Sequence, residues 1–159
     1  MHSSKLALAK FSIMPYISAW FHLVWSTKNR QAFLTKALRA KVWDHIKQNA
    51  KRKGIFLDRV NGYVDHVHCL VSLSSDQTIS KIVQLIKGES AYWINKEKLC
   101  STIFGWQNEY FAVTVSQSHL ARVRGYIDNQ ENHHQKKTWE QEYQEFVRGY
   151  EFTVRKIDK

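Results

Sequence analysis

The run Val64-Asp65-His66-Val67-His68-Cys69-Leu70-Val71 limits most tightly what this chain can fold into. β-branched and apolar residues dominate it, and Ser74-Ser75-Asp76 follows as a turn signal, so it reads as a buried strand. Side chains alternate faces along a strand. His66 and His68 therefore point the same way, about 6 to 7 Å apart by the strand rise. Two imidazoles on one face can share a metal ion, and they can equally be interior histidines bonded to backbone. The tripeptide alone leaves both open.

The flanking sequence places this strand in an αβ pattern. Residues 17–27 are aromatic and β-branched and end in Lys28-Asn29-Arg30, a first strand. Thr35 can cap a helix in which Leu38, Val42, Ile46 and Ala50 recur at helical spacing, and Gly54 closes it behind Lys51-Arg52-Lys53. Residues 55–64 and 66–73 read as two strands. Thr78 opens a second helix with Ile79, Ile82, Val83, Ile86 and Trp93 near one stripe and Gly88 as its weak point. Residues 106–116 read as a fourth strand, 118–134 as a helix, and 138–150 as a last helix carrying Tyr143, Phe146 and Val147. The order implies an α+β fold, a ferredoxin-like βαββαβ antiparallel sheet with helices on one face and further helices at the C-terminal end.

With 159 residues and no repeat or linker, one domain is expected. Lys and Arg number 24 against 14 Asp and Glu, a net charge of +10, and 13% of residues are aromatic. Basic charge gives affinity for phosphate backbones and aromatic rings stack on exposed bases, so a polyanionic partner is the natural inference. Cys69 and Cys100 lack any disulfide or zinc spacing, which fits a reducing cytoplasm. Lys10 interrupts the patch Leu6-Ala7-Leu8-Ala9 too early for an export signal, and no stretch is apolar enough to span a membrane.

A second constellation lies on the late helix, in Tyr126-Ile127-Asp128-Asn129-Gln130. Tyr126 and Gln130, four apart, share a helical face. A Gln carbonyl oxygen can ligate a hard cation, and a phenol can attack a target that a metal has polarised. A half-buried core tyrosine and a solvated glutamine are the ordinary alternatives.

Together these stretches carry a resemblance. His66-Val67-His68 behind Gly62-Tyr63-Val64-Asp65, with the later Tyr126-Ile127-Asp128-Asn129-Gln130, resembles the single-tyrosine HUH transposases, including the REP-associated kind. These are small bacterial enzymes that move insertion sequences as single-stranded DNA. Residues 22–30, Trp106-Gln107 and 133–138 agree with it, and the similarity covers about 15–150. The resemblance implies a ferredoxin-like homodimer joined through its sheets, with active sites shared between subunits and a partner of single-stranded DNA with hairpin ends. Carried over by position, His66, His68 and Gln130 are metal ligands and Tyr126 is the nucleophile, with no departure at those four. The N-terminus is longer than the family usually shows, so 1–13 reads as a tail, Met14 as a candidate start, 14–153 as the transposase domain and 154–159 as a second tail.

The chemistry follows. Mg²⁺ or Mn²⁺ on two imidazoles and an amide oxygen leaves positions for phosphate oxygens. Attack by Tyr126 would leave a 5′-phosphotyrosine that a second 3′-hydroxyl can reverse. Lys28, Arg30, Lys51, Arg52, Lys53, Lys136 and Lys137, at the ends of elements, are the candidate DNA-binding residues. His119, His133 and His134 read as surface residues, and His22 as a packed one. A catalytically retired or host-adapted binder of hairpin single-stranded DNA would keep the fold and charge but has no need of Tyr126 and Gln130 together. A histidine-triad nucleotide hydrolase needs a third alternating histidine where this chain has Leu70. An RNA-binding module of the same fold would use aromatics on an open sheet face but gives the histidine pair no task.

Overall fold

The computed structural model of the chain describes residues 15–134, 136–138, 140–142 and 144–145. The two tails, Met14, and the stretch of the last helix that holds Tyr143, Phe146 and Val147 lie outside the described residues.

Four strands, β1 (Trp20–Ser26), β2 (Phe56–Gly62), β3 (His66–Ser72) and β4 (Phe111–Val115), form one antiparallel sheet in the order β2-β3-β1-β4. With α1 (Lys36–Arg52) after β1 and α2 (Ile79–Lys96) after β3, this is the expected ferredoxin-like βαββαβ arrangement. The sequence signals act as read. Thr35 Oγ1 accepts from the Leu38 N–H at 3.4 Å and Thr78 Oγ1 from the Lys81 N–H at 3.3 Å, capping both helices. Gly54, at φ +70°, ends α1 in the left-handed region. Gly88 does not interrupt α2.

Leu38, Val42, Ile46 and Ala50 of α1 and Ile82, Val83 and Ile86 of α2 pack on one face of the sheet. Val67, Cys69 and Val71 meet them from β3, with Leu23 and Trp25 from β1. By alternation, His66, His68 and Leu70 present to the opposite face. There Leu70 packs with Leu120 and Ile127 of α3 (Leu120–Asp128), so the late helices cover the second face. Both cysteines are free. No helix among the described residues is long and apolar enough to cross a membrane.

Two expected elements are shorter than read. The fourth strand begins at Phe111: Trp106 makes only an isolated bridge to Thr27, the Gln107 N–H donates to the Ser26 carbonyl at 3.0 Å, and residues 108–110 leave the ladder, with the Asn108 carbonyl held by Lys87 Nζ at 3.0 Å. The helix read as 118–134 is a 3₁₀ turn, then α3, then a separate α4 (Gln130–His134). Asn61 on β2 donates to the Ile127 and Asp128 carbonyls at 2.9 and 3.3 Å, which ends α3 at Asn129.

Candidate active site

The site lies at the end of the sheet where β3 begins. Gly62 makes the approach possible: a Cβ there would sit 2.1 Å from the His66 carbonyl oxygen, so only glycine lets the β2–β3 turn close over His66. His66 is fully buried and His68 is 1% exposed. Asp65 Oδ1 accepts from His66 Nδ1 at 2.8 Å, so the ring presents the Nε2 lone pair inward. His68 Nδ1 lies 2.9 Å from Nε2 of His22, which is buried beside it on β1. With the hydrogen on His68 Nδ1, its Nε2 also faces the site, the tautomer that metal ligation requires.

Tyr126 and Gln130 come in on α3 and α4. The Gln130 amide N–H donates to the Tyr126 carbonyl at 3.1 Å, leaving its Oε1 directed at His66 Nε2, 3.4 Å away. Gln130 is fully buried, contrary to its ordinary solvated state. The Tyr126 ring stands edge-on to His68 at 5.6 Å and to His22 at 6.1 Å. The four residues singled out for metal and nucleophile thus converge. An open cavity of about 650 Å³, lined by Ser116, Arg122, Val123, Tyr126 and Glu142, gives access to them.

The structure corrects one reading and adds a residue. His134 is not a surface residue: its side chain is 2% exposed, its Nε2 lies 3.0 Å from Gln130 Oε1, and its ring stacks on Tyr63 at 5.1 Å. His133 is half-buried, its ring 5.2 Å from that of Tyr126. Glu142, absent from the expected set, enters from beyond a capping box in which Thr138 Oγ1 accepts from the Gln141 N–H and Gln141 Oε1 from the Thr138 N–H. Its oxygens lie 2.7 Å from His134 Nε2, 3.3 Å from His68 Nε2 and 3.5 Å from His66 Nε2, and it accepts a hydrogen bond from the Tyr126 hydroxyl. The i, i+4, i+8 spacing of Tyr126, Gln130 and His134 would put all three on one face of an unbroken helix, a signal by which His134 could have been found.

Burial sets the charge state. It holds His22 and His68 well below the usual imidazole value, reinforced by their histidine neighbours, and brings His134 to about 4. It pushes the Glu142 carboxyl up to about 7, against the opposing pull of His66. The close approaches of Glu142 to His68 and His134 are therefore not ion pairs with charged rings. Neutral imidazoles are what a cation binds. His66, His68, His134 and Glu142 offer ligand atoms all within 4.8 Å of one another, close to the span of two metal–ligand bonds of about 2.2 Å. The donor set fits a divalent ion.

Of the candidate DNA-binding residues, Lys28 and Arg30 follow β1 where it pairs with His66, in a turn whose Asn29 and Arg30 have φ of 55° and 53°. That turn is tied to the site, since the Thr27 N–H donates to the Asp65 carbonyl at 2.8 Å. Lys136 and Lys137 follow α4, and Lys137 Nζ pairs with Glu145 at 2.7 Å. Lys51, Arg52 and Lys53 are exposed but lie at the end of α1, where β2 starts opposite Ser72. They sit about 20 Å from His66 by the strand rise.

This geometry has relatives. The family model for "Transposase IS200 like" matches residues 16–130. The ISDra2 transposase TnpA of Deinococcus radiodurans is 29% identical over 115 residues, 69% of this chain and 82% of that protein. Among solved structures, a candidate transposase from Deinococcus radiodurans R1 is similar at a TM-score of 0.57 and 26% identity, covering 72% of this chain and 93% of that one. A REP-associated tyrosine transposase bound to a REP hairpin shares the fold at a TM-score of 0.55 and 16% identity, covering 79% of this chain and 72% of that one. Because the matched span holds the histidine strand, the tyrosine helix and most of the chain, this protein belongs to the IS200-like transposase family and is a DNA transposase.

Proposed function

We propose that this transposase cuts and rejoins single-stranded DNA through a 5′-phosphotyrosine on Tyr126, using Mg²⁺ or Mn²⁺ held by His66, His68 and Gln130, and so moves an insertion sequence. The observation that carries this reading is the convergence of a tyrosine with buried, oriented imidazoles at an open cavity. A bound divalent ion supplies Lewis-acid polarisation of the scissile phosphodiester and offsets charge in the transition state. The protein's own groups do the rest. Asp65 and His22 fix the two rings, and Gln130 is anchored to the backbone of the nucleophile itself. Lys28, Arg30 and Lys136, near the site, hold flanking phosphates, and the Arg122 side of the cavity receives the strand.

Tyr126 Oη attacks phosphorus and the P–O3′ bond breaks. The 3′ end leaves as a hydroxyl while the 5′ end stays on the tyrosine. Attack by a different 3′-hydroxyl reverses the step and joins new ends, with no water or nucleotide triphosphate consumed. The Tyr126 ring lies 5.6 Å from that of His68 in the same chain, which supports a nucleophile that serves its own subunit's histidines rather than its partner's. Exchange between two ends needs two such sites, which a homodimer supplies. The hairpin held by the REP-associated relative supports hairpin-ended single-stranded DNA as the partner here, met in the cytoplasm. The test is covalent capture: with Mn²⁺ or Mg²⁺ and single-stranded DNA bearing the element's ends, the protein forms an adduct stable to denaturing electrophoresis. Absence of any adduct from the wild-type protein contradicts the reading.

A further inference from the structure

The site holds two groups outside both the expected ligand set and the matched span, which ends at Gln130. His134 and Glu142 are carried by α4 and the capped turn that follows it. Glu142 is 3% exposed, and a buried carboxyl needs partners on both oxygens. One oxygen receives the Tyr126 hydroxyl and lies 3.3 Å from His68 Nε2. The other lies 2.7 Å from His134 Nε2 and 3.5 Å from His66 Nε2. Glu142 therefore touches the nucleophile on one side and the ligand nitrogens on the other. His134 is itself held in place: its Nδ1–H donates to the Lys137 carbonyl at 3.1 Å, and its ring stacks on that of Tyr63, which also has the Arg39 guanidinium over it at 5.0 Å.

Building on the function proposed above, we infer that Glu142 is a positioning residue that ties the nucleophile to the metal site, one carboxylate oxygen holding the Tyr126 hydroxyl and the other completing, with His134, the ligand set begun by His66 and His68. The phenol is then fixed relative to the scissile phosphorus through a single rigid carboxylate rather than by ring packing alone, and a displacement of about 1 Å at such a group costs about a hundredfold in rate. Three imidazoles also make the site richer in nitrogen than two imidazoles and an amide, which favours Mn²⁺ over the oxygen-preferring Mg²⁺.

The experiment compares wild type with Glu142→Ala, Glu142→Gln and His134→Ala in the full chain, after thermal melts identify which variants are folded. Mn²⁺ affinity is read without DNA by calorimetry and by the electron paramagnetic resonance of bound ion. Adduct formation and DNA affinity are read separately. Glu142→Ala and His134→Ala are expected to weaken Mn²⁺ binding about tenfold or more. Glu142→Ala should also slow adduct formation about a hundredfold while DNA affinity is kept. Glu142→Gln, of the same shape, still accepts from the phenol, so it recovers much of the adduct rate but not the Mn²⁺ affinity. Wild-type Mn²⁺ affinity in both Glu142 variants, or an adduct rate that is unchanged or faster in Glu142→Gln and Glu142→Ala, would overturn the inference. If the wild type makes no adduct, the proposed transposition chemistry fails, and the Mn²⁺ arm still decides whether Glu142 and His134 are ligands.

Discussion

The two faces of the sheet are built from the same strands and held by different forces. Toward α1 and α2, β3 turns Val67, Cys69 and Val71 into a hydrocarbon core, where each fully buried aliphatic side chain contributes about 1.5–3 kcal/mol. Toward α3 and α4, the same strand turns His66 and His68 into a buried polar cluster, which burial alone disfavours. Directional contacts hold that second face. Arg124 of α3 makes a bidentate pair with Asp58 of β2 at 2.8 and 3.1 Å, Arg59 reaches Asp128 at 3.3 Å, and Asn61 caps α3. The helix bearing Tyr126 is thus clamped to the sheet by charge and hydrogen bonds rather than by a large apolar area. One face supplies stability, and the other spends some of it on chemistry.

Substitutions should separate the two. The largest effect is expected of Tyr126→Phe, which removes the covalent adduct entirely while keeping DNA affinity, with a thermal midpoint lowered only by the about 1–3 kcal/mol of the lost hydrogen bond to Glu142; residual adduct would move the nucleophile elsewhere. On the opposite face, Leu23→Ala should destabilise the fold by about 2–5 kcal/mol in denaturant titration, with Mn²⁺ affinity per folded molecule retained. His68→Ala should do the reverse, with divalent binding lost and the metal-free fold little weakened, because a desolvated imidazole is replaced by an apolar group. Equal stability losses at Leu23 and His68 would erase the distinction between the faces.

Acidity offers a gentler probe. His22, His68 and His134 have folded values depressed below the unfolded 6.5, so their stabilising contribution is full above that pH and is lost as pH falls below it, through about 4 for His134. Glu142, raised from 4.5 to about 7, acts oppositely: its contribution is full below 4.5 and is lost as pH rises through 7. With three imidazoles against one carboxyl, the metal-free midpoint should drop between pH 6.5 and 4.5. Mn²⁺ affinity should rise between pH 6 and 8 as Glu142 ionises. The smallest effect concerns charge placement. Lys28→Glu with Arg30→Glu should weaken DNA binding and flatten its salt dependence more than charge reversal at Lys51, Arg52 and Lys53, which sit at the far end of the sheet.

What was legible in the sequence follows the range of each signal. Helix caps at Thr35 and Thr78, the stop at Gly54 and the strand carrying His66 and His68 are local patterns that stand where they were read, and Tyr126 and Gln130 still meet although they fall on two helices. The break at Asn129 depends on Asn61, 68 residues earlier in the chain, so periodicity ran the helix through it. Glu142 reaches the cluster only because the turn after His134 and the cap at Thr138 reverse the chain, and no spacing encodes that reversal.

The most direct measurement mixes two inactive proteins, Tyr126→Phe and His68→Ala, under conditions that allow subunits to exchange, and assays covalent capture of single-stranded DNA beside the wild type. Because Tyr126 meets the histidines of its own chain, the wild type should form the adduct and the mixture should form none. Recovery of adduct in the mixture would mean that the nucleophile crosses to its partner's metal site and would contradict the single-chain active site described above.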